Sequence, residues 1–194
     1  MPELNSALAA FLQQVNEMPG PRVLELGTKR AFSDRSTMHK AWIPHAAAFI
    51  GTDYQNGLDV DVVADVHCLS SAFPEESFDV VISCSTFEHI KYPWIAAVEI
   101  ARCLRLGGCV FVQTHQTYPL HGAPYDYWRF TRDGLAALFH PKIGMDTIAC
   151  CHEFPCSITT EEDPGAIASL DAFLNTCLCA IKIAATPGEW LPDL

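Results

Sequence analysis

Positive charge is scarce in this chain: 12 Lys and Arg stand against 23 Asp and Glu, a formal net charge of −11. A field of that sign repels phosphate backbones, so nucleic acid is not an expected partner. Long apolar runs are missing too. No stretch reaches the roughly 18 apolar residues that span a bilayer, so no membrane partner is expected. The opening MPELNSALAAFLQQV has an early Glu3 and no basic segment. It makes a poor signal peptide, and the expected location is the cytoplasm. A second cysteine pair at zinc-site spacing is also absent around CCHEFPC (150–156), so no metal is expected. The nine cysteines are an odd number, and Cys84, Cys103, Cys109, Cys177 and Cys179 sit in apolar runs as small hydrophobes.

What is present describes a globular α/β chain. Hydrophobic residues make up 49% of 194, enough for a sizeable core, and no linker or repeat divides residues 1–194. Leu4, Leu8, Phe11, Leu12 and Val15 share one face of a helix over 3–18, which Pro19, Gly20 and Pro21 stop. RVLELG reads as a buried strand. Residues 34–42 read as a helix, 47–54 and 60–66 as strands, and FDVVISC (78–84) as the clearest strand. Pro93 opens a helix that Gly107-Gly108 closes, and CVFVQT (109–114) follows as a strand. Residues 115–130 read as a loop. Thr131 caps a helix carrying Leu135, Leu138 and Phe139, and strands are expected near 144–151 and 174–183. Alternating strands and helices imply a parallel sheet covered on both faces.

Ligands of such sheets bind beyond the carboxyl ends of the strands. VLELGTKR (23–30) ends one strand with a single glycine. Gly27 permits a tight turn, and a following helix would aim its N–H groups at an anion. Glu25 can hold the loop's amides. Asp53 ends the next strand, where an acid accepts from two ribose hydroxyls, and Asp65 ends the third, where it can accept from an adenine amine. These residues describe a pocket for an adenosine compound with a modest anionic end. A dinucleotide would need G-x-G-x-x-G, and G-T-K-R-A-F argues against it.

In that order the motifs resemble the class I S-adenosylmethionine-dependent methyltransferases over about residues 21–140. VLELG resembles the motif for the methionine end, FIGTDY the ribose motif with Asp53 and Tyr54, and ADVHCLS the adenine motif with Asp65, Val66 and His67. ESFDVVISCSTFEHI resembles the fourth motif, with the Ser83-Cys84 backbone toward the methionine end, and ARCLRLGGCVFVQT the helix-turn-strand that follows. HGAPYDYWRFT (121–131) is similar to a segment of a bacterial subgroup associated with sugar and surface-glycan modification. The resemblance implies a Rossmann-like fold with a mostly parallel seven-stranded sheet, S-adenosyl-L-methionine as cofactor, and a small polar acceptor. O-methylation of a sugar or biosynthetic intermediate is the expected reaction. A catalytically silent subunit that keeps the fold is the alternative. Two departures stand out: GTKR lacks the family's second glycine, and His115 stands where Pro is commoner. The variant loop would use the Thr28 hydroxyl, with Lys29 or Arg30 pairing to the cofactor carboxylate.

Methyl transfer from a sulfonium is an in-line displacement, so the protein must position the acceptor and exclude water. A hydroxyl acceptor must also lose its proton. His121 oriented by Asp126 is the expected base, with His115 as a further catalytic candidate. His89, Tyr125, Trp128 and Arg129 are expected to contact substrate. Trp128 and Phe130 equally suit a packing plug, with Asp126 paired to Arg129. The small-molecule acceptor leaves a homo-oligomer or a partner subunit open.

Overall fold

The computed structural model describes residues 6–159 and 172–188. Its centre is a seven-stranded sheet of order β3-β2-β1-β4-β5-β7-β6. The strands are β1 (Arg22–Leu26), β2 (Ala48–Asp53), β3 (Val62–Val63), β4 (Phe78–Cys84), β5 (Leu104–His115), β6 (Met145–Cys156) and β7 (Ala172–Lys182). β1 to β5 pair in parallel, while β7 runs antiparallel to both β5 and β6. This is the Rossmann-like, mostly parallel arrangement expected for class I methyltransferases.

Strand periodicity sorts the core onto two faces. Val23, Val80, Ile82, Cys109, Phe111, Cys177 and Cys179 project to one face, against Ala7, Phe11 and Val15 of α1 (Ser6–Asn16). Leu24, Leu26, Val81, Val110, Val112 and Leu178 project to the other, against α2 (Pro93–Cys103) and α3 (Arg132–Ala136). Phe11 is fully buried with its ring 5.3 Å from Phe111. Truncating a side chain of that size in such a site typically removes about 3–5 kcal/mol. Leu4, placed on the first helix by periodicity, lies outside the described residues.

Three elements differ most from the sequence expectations, and α3 is shorter than expected, with Leu138 and Phe139 beyond its end at Ala136. Residues 34–42 form no α-helix: the chain from Gly27 to His39 is irregular, and only Lys40–Trp42 make a 3-10 turn. Ser33, Asp34, Ser36 and Thr37 offer local acceptors that compete with helical bonding, as when the Met38 amide donates to the Ser36 hydroxyl. So no helix N-terminus follows Gly27. The third strand is two residues long because only Val62 and Val63 pair with Thr52 and Asp53. α2 ends at Cys103, ahead of the glycines: Leu104 is extended and begins β5, and its carbonyl accepts from the buried Lys182 ammonium at 2.6 Å. Gly107 and Gly108 lie inside β5, where the register with β4 shifts.

The four cysteines Cys103, Cys109, Cys177 and Cys179 are buried, Cys84 is half-buried, and all nine are free. CCHEFPC lies along β6, and its residues assemble no metal-ligand group among the described residues. No helix among the described residues is long and apolar enough to cross a membrane.

Candidate active site

A cavity of about 450 Å³ opens beyond the carboxyl ends of β1, β2 and β4. Gly27, Asp53, Tyr54, Asp65, Val66 and His67 line one side. Ser85, Thr86, His89, Ile90 and Lys91 line the opposite side, and Gly122, Tyr125 and Tyr127 close over the rim.

Each acid is held by backbone donors. The Asp53 carboxylate accepts from the Lys29 amide at 3.1 Å and from the Gln55 amide at 3.0 Å, one on each oxygen. Asp65 Oδ1 accepts from the His67 amide at 2.9 Å and lies 2.7 Å from His67 Nδ1. The Tyr92 amide donates to His67 Nε2 at 3.2 Å, so Nδ1 carries the ring proton and donates to Asp65. The His67 side chain thus ties the end of β3 to the start of α2. Burial works to raise the Asp65 pKa, but the His67 amide and ring outweigh it and hold the carboxyl below its ordinary value.

The loop after β1 is built around close approach. Gly27 has φ +72°, and a Cβ there would lie 2.2 Å from Thr86 Oγ1. The Gly27 and Thr28 amides both donate to the Thr52 carbonyl, at 2.8 and 3.2 Å. Thr28 is buried, and its hydroxyl also faces that carbonyl at 3.4 Å. Arg30 makes a bidentate pair with Asp59 at 2.9 and 2.8 Å, and the Lys29 ammonium is held by the Gln55 side chain. Both cations offered for a cofactor carboxylate are therefore engaged elsewhere. Glu25 faces away from the cavity and accepts from the His39 amide at 3.0 Å, with His39 Nδ1 at 2.6 Å. Strand alternation explains this: Glu25 shares the face of Val23. Ser83 and Cys84 do not line the cavity, whereas the next two residues do. Burial and nearby acids push the Cys84 thiol up, so it is no thiolate.

Sequence reasoning passed over Glu88. A lone acid at a helix start reads as a dipole partner, yet this side chain is fully buried. Its Oε2 accepts from the Thr114 hydroxyl at 2.7 Å. Its Oε1 faces three imidazoles: His115 Nε2 at 3.1 Å, His89 Nε2 at 3.8 Å and His121 Nε2 at 3.9 Å. The signal in sequence was Glu88-His89 directly after the fourth strand, together with His115 at the end of the fifth. Burial would raise the Glu88 pKa, but His115 more than offsets it and the carboxyl is lowered. Burial likewise opposes charge on His115, and Glu88 raises that ring above the ordinary histidine value.

The expected pairing of His121 with Asp126 takes another form. The His121 amide, not its ring, donates to Asp126 at 2.9 Å, and the ring Nδ1 lies 3.6 Å from that carboxylate. Nδ1 instead donates to the Pro119 carbonyl at 3.1 Å. Asp126 is claimed by Arg129 at 2.6 and 2.9 Å, which holds its carboxyl well below the usual range. Arg129 also donates to the Tyr118 and Pro119 carbonyls, so it braces the loop away from the cavity. Trp128 is 37% exposed but outside the cavity, donating to the Lys91 carbonyl at 3.3 Å, while Phe130 is buried. His115 stacks on Tyr118 at 4.1 Å behind the wall. Of the expected substrate contacts, His89 and Tyr125 line the cavity.

Comparison with known proteins bears on this arrangement. Residues 40–112 match the family model described as a methyltransferase domain; the match begins after the single-glycine loop. No match was found among curated proteins. Among solved structures, the chain is similar to a Burkholderia thailandensis 1,6-didemethyltoxoflavin-N1-methyltransferase with bound S-adenosylhomocysteine (15% identity, TM-score 0.60, covering 91% of this chain and 77% of that one). It is similar to an S-adenosylmethionine-dependent methyltransferase from Mesorhizobium loti (17%, 0.59, 91% and 99%). It is also similar to a chain of a complex containing the Haloferax volcanii Trm112 methyltransferase activator (18%, 0.58, 89% and 88%). At these identities the likeness shows the fold. The chain thus carries a methyltransferase-domain match over residues 40–112 on the fold that S-adenosylmethionine-dependent methyltransferases share.

Proposed function

We propose that this protein transfers a methyl group from S-adenosylmethionine to a hydroxyl of a small polar acceptor, a sugar or a biosynthetic intermediate, and that residues 1–194 act as one cofactor-binding domain. The observation that carries the reading is a single cavity with Asp53 and Asp65 on one wall and an imidazole cluster behind the other. Its volume of about 450 Å³ suits a small-molecule site, which spans about 300–1,000 Å³.

In this reading Asp53 accepts from the ribose hydroxyls, since each of its oxygens is steadied by one backbone N–H. Asp65 accepts from the adenine amine, with Val66, His67 and Ile90 around the ring. Gly27, Ser85 and Thr86 border the methionine end, and Thr28 and Glu25 shape the loop from outside the cavity. Tyr125 and Tyr127 offer aromatic faces with polar edges to the acceptor. His89 lines the cavity in front of the imidazole group on Glu88, and that group as a whole is where the acceptor proton is taken up.

A second reading, a subunit that works with a partner, is favoured by Leu120. It is 90% exposed on the same segment as Tyr118 and Tyr125. One assay separates the two. The protein is incubated with methyl-labelled S-adenosylmethionine and a panel of sugars and hydroxylated intermediates. Label moving to a hydroxyl supports the first reading. Cofactor binding without transfer to any acceptor overturns it in favour of the second.

A further inference from the structure

We propose that Glu88, His115 and His121 form a divalent-cation site of the zinc class, with His89 standing between the ion and the cavity. The inference does not depend on which acceptor is methylated.

The argument starts from ring tautomers. A backbone carbonyl can only accept, so a ring nitrogen facing one must carry the proton. His89 Nδ1 lies 2.7 Å from the Tyr125 carbonyl, and His121 Nδ1 lies 3.1 Å from the Pro119 carbonyl. His115 Nδ1 lies 3.0 Å from the Asn175 side-chain oxygen. In each neutral ring the proton is then on Nδ1, and the Nε2 lone pair is bare. All three Nε2 atoms lie 3.1–3.9 Å from one atom, Glu88 Oε1. That oxygen is itself an acceptor. It belongs to a fully buried side chain and accepts no hydrogen bond. Lone pairs converging on a carboxylate oxygen in a buried space repel one another unless positive charge sits among them, supplied by a proton on His115 Nε2 or by a metal ion.

The donor set has the composition of a metal site. Ligating imidazoles usually donate their other N–H to a carbonyl or carboxylate, which fixes tautomer and ring direction, and here all three rings do so before any ion arrives. Two imidazoles and one carboxylate, with a fourth position left for water, is a zinc-type set. The ligand atoms of Glu88, His115 and His121 all lie within 4.8 Å of one another. In a tetrahedral site with bonds near 2.0–2.1 Å, neighbouring ligand atoms are about 3.3 Å apart. The 3.1 and 3.9 Å separations from Oε1 need only small ring movements to reach that spacing. Thr114 holds the other carboxylate oxygen at 2.7 Å and orients the acid. Imidazole ligands favour zinc, cobalt or nickel over magnesium or calcium.

The test uses the full chain after treatment with a chelator. Zinc chloride is titrated by calorimetry, metal content is measured after dialysis, and cobalt is bound in parallel for its visible spectrum. The expected result is one zinc per chain and a tetrahedral cobalt spectrum without a thiolate charge-transfer band. His121→Ala, at a half-buried position that a folded chain tolerates, should weaken zinc by about 100-fold or more. Glu88→Gln should weaken it as well, and His45→Ala should leave it unchanged. No zinc retained by folded wild type overturns the proposal. So does binding that survives His121→Ala, or a cobalt spectrum dominated by thiolate, which would assign the ion to the cysteines.

Discussion

Thr86 Oγ1 occupies the space into which a side chain at residue 27 would project, 2.2 Å from the position of a Cβ on Gly27. The loop after β1 therefore needs one glycine for close approach to the loop after β4. Further glycines would serve a phosphate lying against the backbone, and here the chain turns away into Arg30–Asp59 instead.

Gly27→Ala should disturb both the backbone and the cavity. A non-glycine residue at φ +72° is strained by about 1–2 kcal/mol before the clash with Thr86 is counted. Thermal melting should show the loss of stability, and affinity for S-adenosylhomocysteine should fall with it. An unchanged melting temperature would mean that Thr86 moves aside freely.

Arg30→Ala should leave S-adenosylhomocysteine affinity within about twofold, because Arg30 is spent on a half-buried pair with Asp59 and does not line the cavity. The same pair gives a pH signature. The Arg30 guanidinium holds Asp59 below its ordinary pKa. A depressed carboxylate stabilises the fold above its unfolded pKa of about 3.9, and that stability is lost as pH falls through the folded value. Melting curves of wild type should therefore decline on the acid side more steeply than those of Asp59→Asn. Parallel acid flanks would contradict the pairing.

Thr131 accepts the Gly134 amide at 3.1 Å and caps α3. Thr131→Ala should cost about 1 kcal/mol in chemical denaturation, and Thr131→Ser should restore most of it.

Much of this was legible in sequence because it rests on local signals. FDVVISC forms β4 over the expected residues, Pro93 opens α2, and Thr131 caps its helix. Asp53 ends β2 and Asp65 follows β3 two residues on, both on one cavity, because parallel topology places strand ends together. What was hidden depends on distant partners. α2 ends where Leu104 joins β5 beside Phe78, and its carbonyl is held by Lys182, 78 residues away. Glu88 gains its setting only when β4 lies beside β5 and brings Thr114 and His115 to it. The engagement of Asp126 by Arg129 left His121 to the Pro119 carbonyl, a competition among neighbours that spacing cannot rank.

The central claim is that the wall carrying Asp53 binds the adenosine of S-adenosylmethionine. Calorimetric titration with S-adenosylhomocysteine, wild type beside Asp53→Ala, tests it most directly. The account predicts saturable one-to-one binding that Asp53→Ala weakens by about 100-fold, the loss of two charge-assisted hydrogen bonds. Equal affinity in both proteins, with Asp53→Ala folded, would contradict it.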